Sequence, residues 1–221
     1  MISAGFVLVM AKTPVPGRVK TRLCPPCTPE EAAAVAAAAL ADTLDAVAAC
    51  HASRRVLALD GLPGPWLPAG FEVIAQRGDG LAQRLAHAWS DAAAADPSQP
   101  GIQIGMDTPH VDPAELDRLL SVVAPGRAVL GAAVDGGWWV IGLAGADPMA
   151  VFDGIPMSTP VTGAYQRRRL RALGLAVHRA PVRRDIDTAA DLAAVAAVAP
   201  GTRTAAMAAA LDLDLRAAGV A

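Results

Sequence analysis

Short apolar runs alternate with longer helical stretches along most of the chain, and this alternation restricts the fold more than any other feature. "AGFVLVM" (4–10), "RRVLALD" (54–60), "FEVIAQ" (71–76) and "GIQIGMD" (101–107) are brief, rich in large or β-branched apolar residues and bounded by turn formers, as buried strands are. Between them, residues 28–50, 79–95 and 112–123 read as helices. Thr28 precedes Pro29 and Asp112 precedes Pro113, each an N-cap followed by proline at the first helical position. "GLPGPWLPAG" (61–70) is a loop by composition. "RAVLGAAV" (127–134) and "WWVIGLA" (138–144) flank Asp135-Gly136-Gly137, a hairpin signal. A helix near 160–173, a strand near 174–180 and a helix at 188–198 follow. Repeated strand–helix alternation demands a mostly parallel sheet covered on both faces, with the hairpin adding an antiparallel element. The expected fold is therefore a single α/β domain with a mixed, mostly parallel sheet. Residues 1–199 are expected to form it, and 200–221 a C-terminal helix or tail.

The chain has 221 residues, enough for one sizeable core and short for two. Hydrophobic residues make up 53%, which excludes a disordered chain. A net charge of −2 supplies no basic field for a nucleic-acid backbone. The opening "MISAGFVLVM" lacks the charged start and cleavage site of a signal peptide, and the longest uncharged runs, such as 32–41, fall well short of a membrane helix. Three cysteines, an odd count, do not suggest a secreted disulfide scaffold. These features lead us to expect a cytoplasmic protein with no membrane or nucleic-acid partner.

Against this neutral background "AKTPVPGRVKTRLCPPC" (11–27) stands out, and two readings of it compete. Cys24 and Cys27 form a Cys-x-x-C pair, but a structural zinc needs about four ligands. Cys50, His51, His87, His110 and His178 offer no second paired spacing. The cations read differently. The chain holds 17 arginines and two lysines, and both lysines, Lys12 and Lys20, fall in this one segment beside Arg18 and Arg22. A sequence that writes nearly every positive charge as arginine keeps a compact ammonium where phosphate is to be bound as a point charge. Pro14, Pro16 and Gly17 shape the loop, which is no Walker A motif. The alternative is a solvated, salt-bridged loop.

Carboxylates supply the other half. Asp107 ends an apolar strand, where an unpaired ion is costly, and Asp185 and Asp187 stand at another strand end. Magnesium-like cations take one or two protein carboxylates and fill the remainder with phosphate and water. Asp107 could instead cap the Thr108-Pro109 turn, and Thr188 with Asp191 resembles a capping box. Without an ion the carboxylates would repel, so Asp107→Asn is expected to be at least as stable as the parent. Asp135 either serves its turn or reaches the cleft. Gln76, Gly78, Gly80 and Arg84 open the helix at 79–95 and either contact a base or ribose or simply turn the chain. Trp138 and Trp139 cannot both face the core, so one packs and the other faces a cleft or partner. Ligands of such sheets sit beyond the strands' carboxyl ends, so the 11–22 loop, the 107–109 corner and the 184–188 segment are expected to converge.

Six blocks, "AKTPVPGRVKTRL", "RGDGLAQRLAHAW", "GMDTP", "DGGWWVIGL", "MSTP" and "RDIDTAADL", occur in the order found in a bacterial transferase family. Its members are known as radical-SAM/selenodomain-associated transferase 1 or arsenosugar glycosyltransferases (domain of unknown function 2064). The resemblance spans roughly 4–195, and the set is far more specific than any single block. The family belongs to the GT-A-like nucleotide-diphospho-sugar transferase clan and is similar to 2-phospho-lactate (or phosphoenolpyruvate) guanylyltransferases. The resemblance implies a GT-A-like fold, a nucleotide whose phosphates meet Lys12, Arg18, Lys20 and Arg22, and Mg2+ or Mn2+ at Asp107 with Asp185 or Asp187. Thr21, Gln76, Gly78, Arg84, Asp135, Ser158 and Thr159 fall in or beside the same blocks as further substrate contacts. The family pattern often has Ser or Thr at Met106, Tyr-Tyr at Trp138-Trp139 and Trp at Met157.

The function expected is metal-dependent transfer from a nucleotide to a small-molecule acceptor, carried by Lys20, Arg22 and Asp107. Nucleotidyl transfer from a nucleoside triphosphate to a phosphorylated acceptor is preferred, since four cations on one loop suit a triphosphate. Glycosyl transfer from a nucleotide-sugar is the alternative, and a non-catalytic nucleotide-binding regulator a third. Base, acceptor and oligomeric state are left open.

Overall fold

The structure, a computed structural model, describes residues 3–211. Its strands are β1 (Ser3–Lys12), β2 (Ala52–Asp60), β3 (Glu72–Ala75), β4 (Gly101–Gly105), β5 (Arg127–Ala133), β6 (Trp138–Leu143) and β7 (Ala176–Arg183). Its helices are α1 (Pro29–Ala49), α2 (Gly80–Ala92), α3 (Pro113–Val122), α4 (Pro148–Phe152), α5 (Thr162–Ala172), α6 (Ala189–Val198) and α7 (Arg203–Ala210).

The strands form one sheet in the order β3-β2-β1-β4-β6-β5-β7, in which β6 alone runs against its neighbours. The carboxyl ends of β1, β4, β5 and β7 therefore share one edge with the amino end of β6. Between β1 and β4 the chain's direction of progress across the sheet reverses, and a crevice opens there in folds of this kind.

β1 shows why both faces must be covered. Val7 and Val9 pack on one side with Leu40, Leu44 and Leu116, while Phe6, Leu8 and Met10 pack on the other with Leu85, Trp89 and Phe152. Period-two alternation of large apolar residues leaves neither face for water. Phe6 meets Trp89 edge to face, with centroids 5.3 Å apart. A side chain at Gly101 would come within 2.3 Å of the Phe6 ring, so the neighbouring strand needs glycine there. Among the described residues, α1 is the helix long and apolar enough by composition to cross a membrane, and 67% of its most apolar window is buried against the protein.

Differences from the sequence reading lie at the margins. β4 ends at Gly105, so Met106 and Asp107 already belong to the turn. β7 extends through Pro181 to Arg183, whereas the reading stopped at 180. Proline is tolerated because β7 is the sheet's edge, where an N–H is not required. The reading missed α4, although Asp147 caps it through the Met149 N–H and Pro148 opens it. Residues 203–210 form α7, and the last part of the expected tail, 212–221, lies outside the described residues.

Candidate active site

The 13–28 loop leaves the end of β1 and is pinned on both sides of Lys20. Val19 and Leu23 are buried, and Leu23 packs with Cys27, Val35, Ile186 and Leu192. Lys20 itself takes a left-handed backbone (φ 48°), and its carbonyl accepts from the Leu23 N–H at the start of a short 3-10 turn, Thr21–Leu23. These anchors send the Lys20 side chain inward, where it is 9% exposed, while Arg22 stays 71% exposed at the rim.

The 184–188 segment uses the same device. Ile186 is fully buried, so Asp185 and Asp187 flank an apolar anchor and are held at the strand ends. The Ile186 N–H donates to the Asp107 carbonyl at 3.3 Å, tying this segment to the end of β4. One carboxylate oxygen from each of Asp107, Asp185 and Asp187 lies within 4.8 Å of the other two.

Lys20 Nζ donates to Asp107 Oδ2 at 2.7 Å and to Asp187 Oδ1 at 3.5 Å, and Arg22 Nη1 to Asp187 Oδ2 at 3.1 Å. Burial works against a charged Lys20, but Asp107, Asp187 and Asp185 outweigh it and hold the ammonium above its ordinary range. Asp185 has no ion-pair partner among the described residues. Burial, reinforced by the charges of Asp107, Asp135 and Asp187, pushes its carboxyl up to about 7. Among the described residues the Asp107 side chain bonds to Lys20 and to no backbone N–H, so the turn-cap alternative is not what forms. The expectation that metal-free Asp107→Asn loses only repulsion also needs correction, since that change would strip Lys20 of its nearest counter-charge.

These groups line a cleft of about 640 Å3, within the range of small-molecule sites. Lys12, Arg18, Lys20, Thr21, Arg22, Gln76, Asp107, Asp135, Ser158, Thr159, Asp185 and Asp187 all border it. Gly78 and Arg84 do not: Arg84 pairs with Asp60 at 2.8 Å, and Gly78 packs against Gln83 and His87. Gln76 borders the cleft with its amide committed, donating to the carbonyls of Ala11 and Ala58 and so stitching β1 to β2. Asp135 does both things weighed for it. It accepts the Gly137 N–H at 2.7 Å within its turn and also faces the cleft. Trp139 is buried, donating Nε1 to the Pro181 carbonyl, and Trp138 lines the cleft. Cys24 and Cys27 are unbonded; Cys27 is a buried packing residue, and burial raises its thiol pKa. Among the described residues, the three aspartates are the group of donors close enough to share an ion.

The sequence reading missed the apolar floor and the one polar residue set into it. Leu81, Leu85 and Gln103 line the cleft; Gln103 is fully buried, with Oε1 lacking a partner among the described residues. A glutamine in the middle of "GIQIG" was the available signal, because a central strand rarely buries an amide without a use for it.

A cation-bearing loop facing clustered aspartates, across the crevice of a GT-A-like sheet, defines a nucleotide-using transferase. The comparisons agree. Residues 34–159 match the family described as "Uncharacterized protein conserved in bacteria (DUF2064)", and the chain belongs to that family. The phosphoenolpyruvate guanylyltransferase of Thermomonospora curvata is 36% identical over 91% of this chain and 88% of its own. The enzyme of the same name from Streptomyces coelicolor is 34% identical over 88% and 92% respectively. A Desulfovibrio desulfuricans crystal structure, provisionally assigned as a nucleotide-diphospho-sugar transferase, superposes with a TM-score of 0.85 at 25% identity, covering 97% of this chain and 98% of that one. A CMP:2-keto-3-deoxy-manno-octonic acid synthetase bound to CTP shares the fold alone, at TM-score 0.55 and 14% identity over 90% of this chain.

Proposed function

We propose that this transferase moves a nucleotidyl group. The phosphate of a small phosphorylated acid attacks the α-phosphorus of a nucleoside triphosphate, the bond from that phosphorus to the β-phosphate oxygen breaks, and pyrophosphate leaves. The observation that carries this reading is the meeting, in one cleft, of Lys12 at the end of β1 and Arg18, Lys20 and Arg22 of the loop after it with a cluster of three carboxylates. Lys12, Arg18, Lys20 and Arg22 bind the triphosphate and offset the charge that builds on the departing pyrophosphate. Asp107, Asp185 and Asp187 form a hard, all-oxygen donor set that fits Mg2+ or Mn2+. Such an ion, when bound, supplies Lewis-acid polarisation of the phosphate oxygens. Val19 and Leu23 anchor the loop around Lys20, and Ile186 anchors Asp185 and Asp187, so little reorganisation is needed at reaction. Trp138, Met157, Ser158 and Thr159 also line the cleft, and this reading assigns them to the acceptor. The relatives' names favour guanosine as the base and phosphoenolpyruvate as the acceptor.

The purified chain with GTP, phosphoenolpyruvate and Mg2+ is expected to release pyrophosphate and form a guanylylated product. Chelator should stop the reaction, and Asp107→Asn should lower kcat/KM by about 100-fold or more, as loss of a charge-stabilising group does. The Desulfovibrio likeness favours the second reading, glycosyl transfer. Release of a nucleoside diphosphate from a nucleotide-sugar, with no pyrophosphate from any triphosphate, would establish that reading and overturn ours.

A further inference from the structure

The ammonium of Lys20 already bonds two of the three carboxylates that a cation would share. It bonds Asp107 Oδ2 at 2.7 Å and reaches Asp187 Oδ1 at 3.5 Å, and both carboxylates belong to the set in which one oxygen from each lies within 4.8 Å of the others. Asp185, the third member, has no such partner among the described residues. A divalent ion held by all three would share carboxylates with a buried like charge, and the two repel.

The backbone at Lys20 cannot retreat, because Val19 and Leu23 are buried on either side of it. The side chain can. Four methylenes carry a compact ammonium that swings between partners, which a planar guanidinium does less readily. This gives a reason for lysine at this position in a chain with 17 arginines. Arg18, at the same cleft, has no acidic partner among the described residues, and Arg22 is mostly exposed, so neither competes inside the cluster as Lys20 does.

We propose that Lys20 is a built-in counter-ion that competes with the divalent cation for Asp107 and Asp187, so that tight metal binding waits for the nucleotide, whose phosphates draw the ammonium away. The proposal rests on the nucleotidyltransferase reading of the cleft. Coupling of this kind is reciprocal: whatever factor nucleotide adds to metal affinity, metal adds to nucleotide affinity. Its use is economy of order. An ion that enters with the triphosphate is correctly placed, and Asp107 and Asp187 keep a counter-charge in the meantime.

The test is Mn2+ titration of the nucleotide-free full-length chain at pH 8, following the free-ion signal by electron paramagnetic resonance. Lys20→Met removes the charge and nearly keeps the shape; Lys20→Gln is a second neutral variant should the first fail to fold, checked by thermal melting. Either neutral variant is expected to bind Mn2+ at least tenfold more tightly than the parent. Adding Asp107→Asn to it should abolish the gain. Equal Mn2+ affinity in the parent and in the folded neutral variant overturns the proposal while leaving the metal site intact. A separate measurement, GTP affinity of the parent with Mg2+ and with chelator, speaks to the underlying reading. No effect of Mg2+ there, and no Asp107-dependent Mn2+ binding in any variant, would remove the metal site and the proposal together.

Discussion

His110 sits three residues beyond Asp107, with its Nδ1 buried and lacking a partner among the described residues. Burial, with Arg183 adding to it, lowers its pKa from 6.5 to about 4. The unfolded chain therefore binds the extra proton first. Stability should be flat in pH above about 6.5 as far as this residue is concerned, and should fall as pH drops from about 6.5 towards 4. After allowance for solvent screening, the loss amounts to roughly 1–2 kcal/mol. His110→Asn should remove that part of the slope, so urea midpoints of parent and variant at pH 7.5 and pH 4.5 measure it. A variant that loses as much stability as the parent would show that His110 is not responsible. At this scale the charged half of the cleft was legible in the sequence. Two lysines in one loop and aspartates closing apolar strands are anomalies visible without coordinates. The pairing of Lys20 with Asp107 was not, because 87 residues separate them and no local pattern reports it. Gln103 was overlooked because an amide within an apolar run carries no charge to draw attention.

The starts of α1 and α6 were easy to read because capping is local chemistry, whereas α4, capped as well, was too short to show a helical period. Thr28 with Glu31 and Thr188 with Asp191 both form reciprocal capping boxes, as their spacing suggests. The docking of α7 was illegible, since it depends on a partner far away in sequence. Asp42, an acidic residue inside the apolar α1, accepts hydrogen bonds from the Thr204 N–H at 2.8 Å, the Thr204 hydroxyl at 2.7 Å and the Arg203 N–H at 3.1 Å. Thr204 is fully buried, so truncating Asp42 leaves its donors without partners. Asp42→Ala should cost about 2–4 kcal/mol, and Asp42→Asn, which keeps one acceptor oxygen, about half as much. Chemical denaturation gives the size, and faster amide exchange confined at first to 203–210 gives the location. A cost under about 0.5 kcal/mol for alanine would mean that α7 is held by its apolar contacts with α1 and α6 alone.

Across the whole molecule, the reversed strand β6 brings the hairpin turn against the start of α5. The Gly163 N–H donates to the Gly136 carbonyl at 2.8 Å, and a Cβ at Gly136, where φ is +90°, would lie 2.0 Å from the Pro160 carbonyl oxygen. Gly136→Ala should therefore destabilise the protein by about 3 kcal/mol or more, combining overpacking with a backbone that disfavours a side chain. If the variant folds, its KM for the acceptor should rise more than its KM for the nucleotide, because Ser158 and Thr159 adjoin the displaced residue; equal changes in both would count against assigning them to the acceptor. The sheet order also bears on how the chain is made. β1 is made before both of its partners; β2 follows within about 40 residues, whereas the other edge waits for β4, where Phe6 pairs with Gly101. At the pace of synthesis that wait lasts roughly 5–20 seconds. Throughout it, "FVLVM" is an apolar strand with one open side. The crevice that the reversal of strand order creates in the finished protein thus has a counterpart during synthesis, an interval in which β1 presents an apolar edge with no strand yet made to cover it.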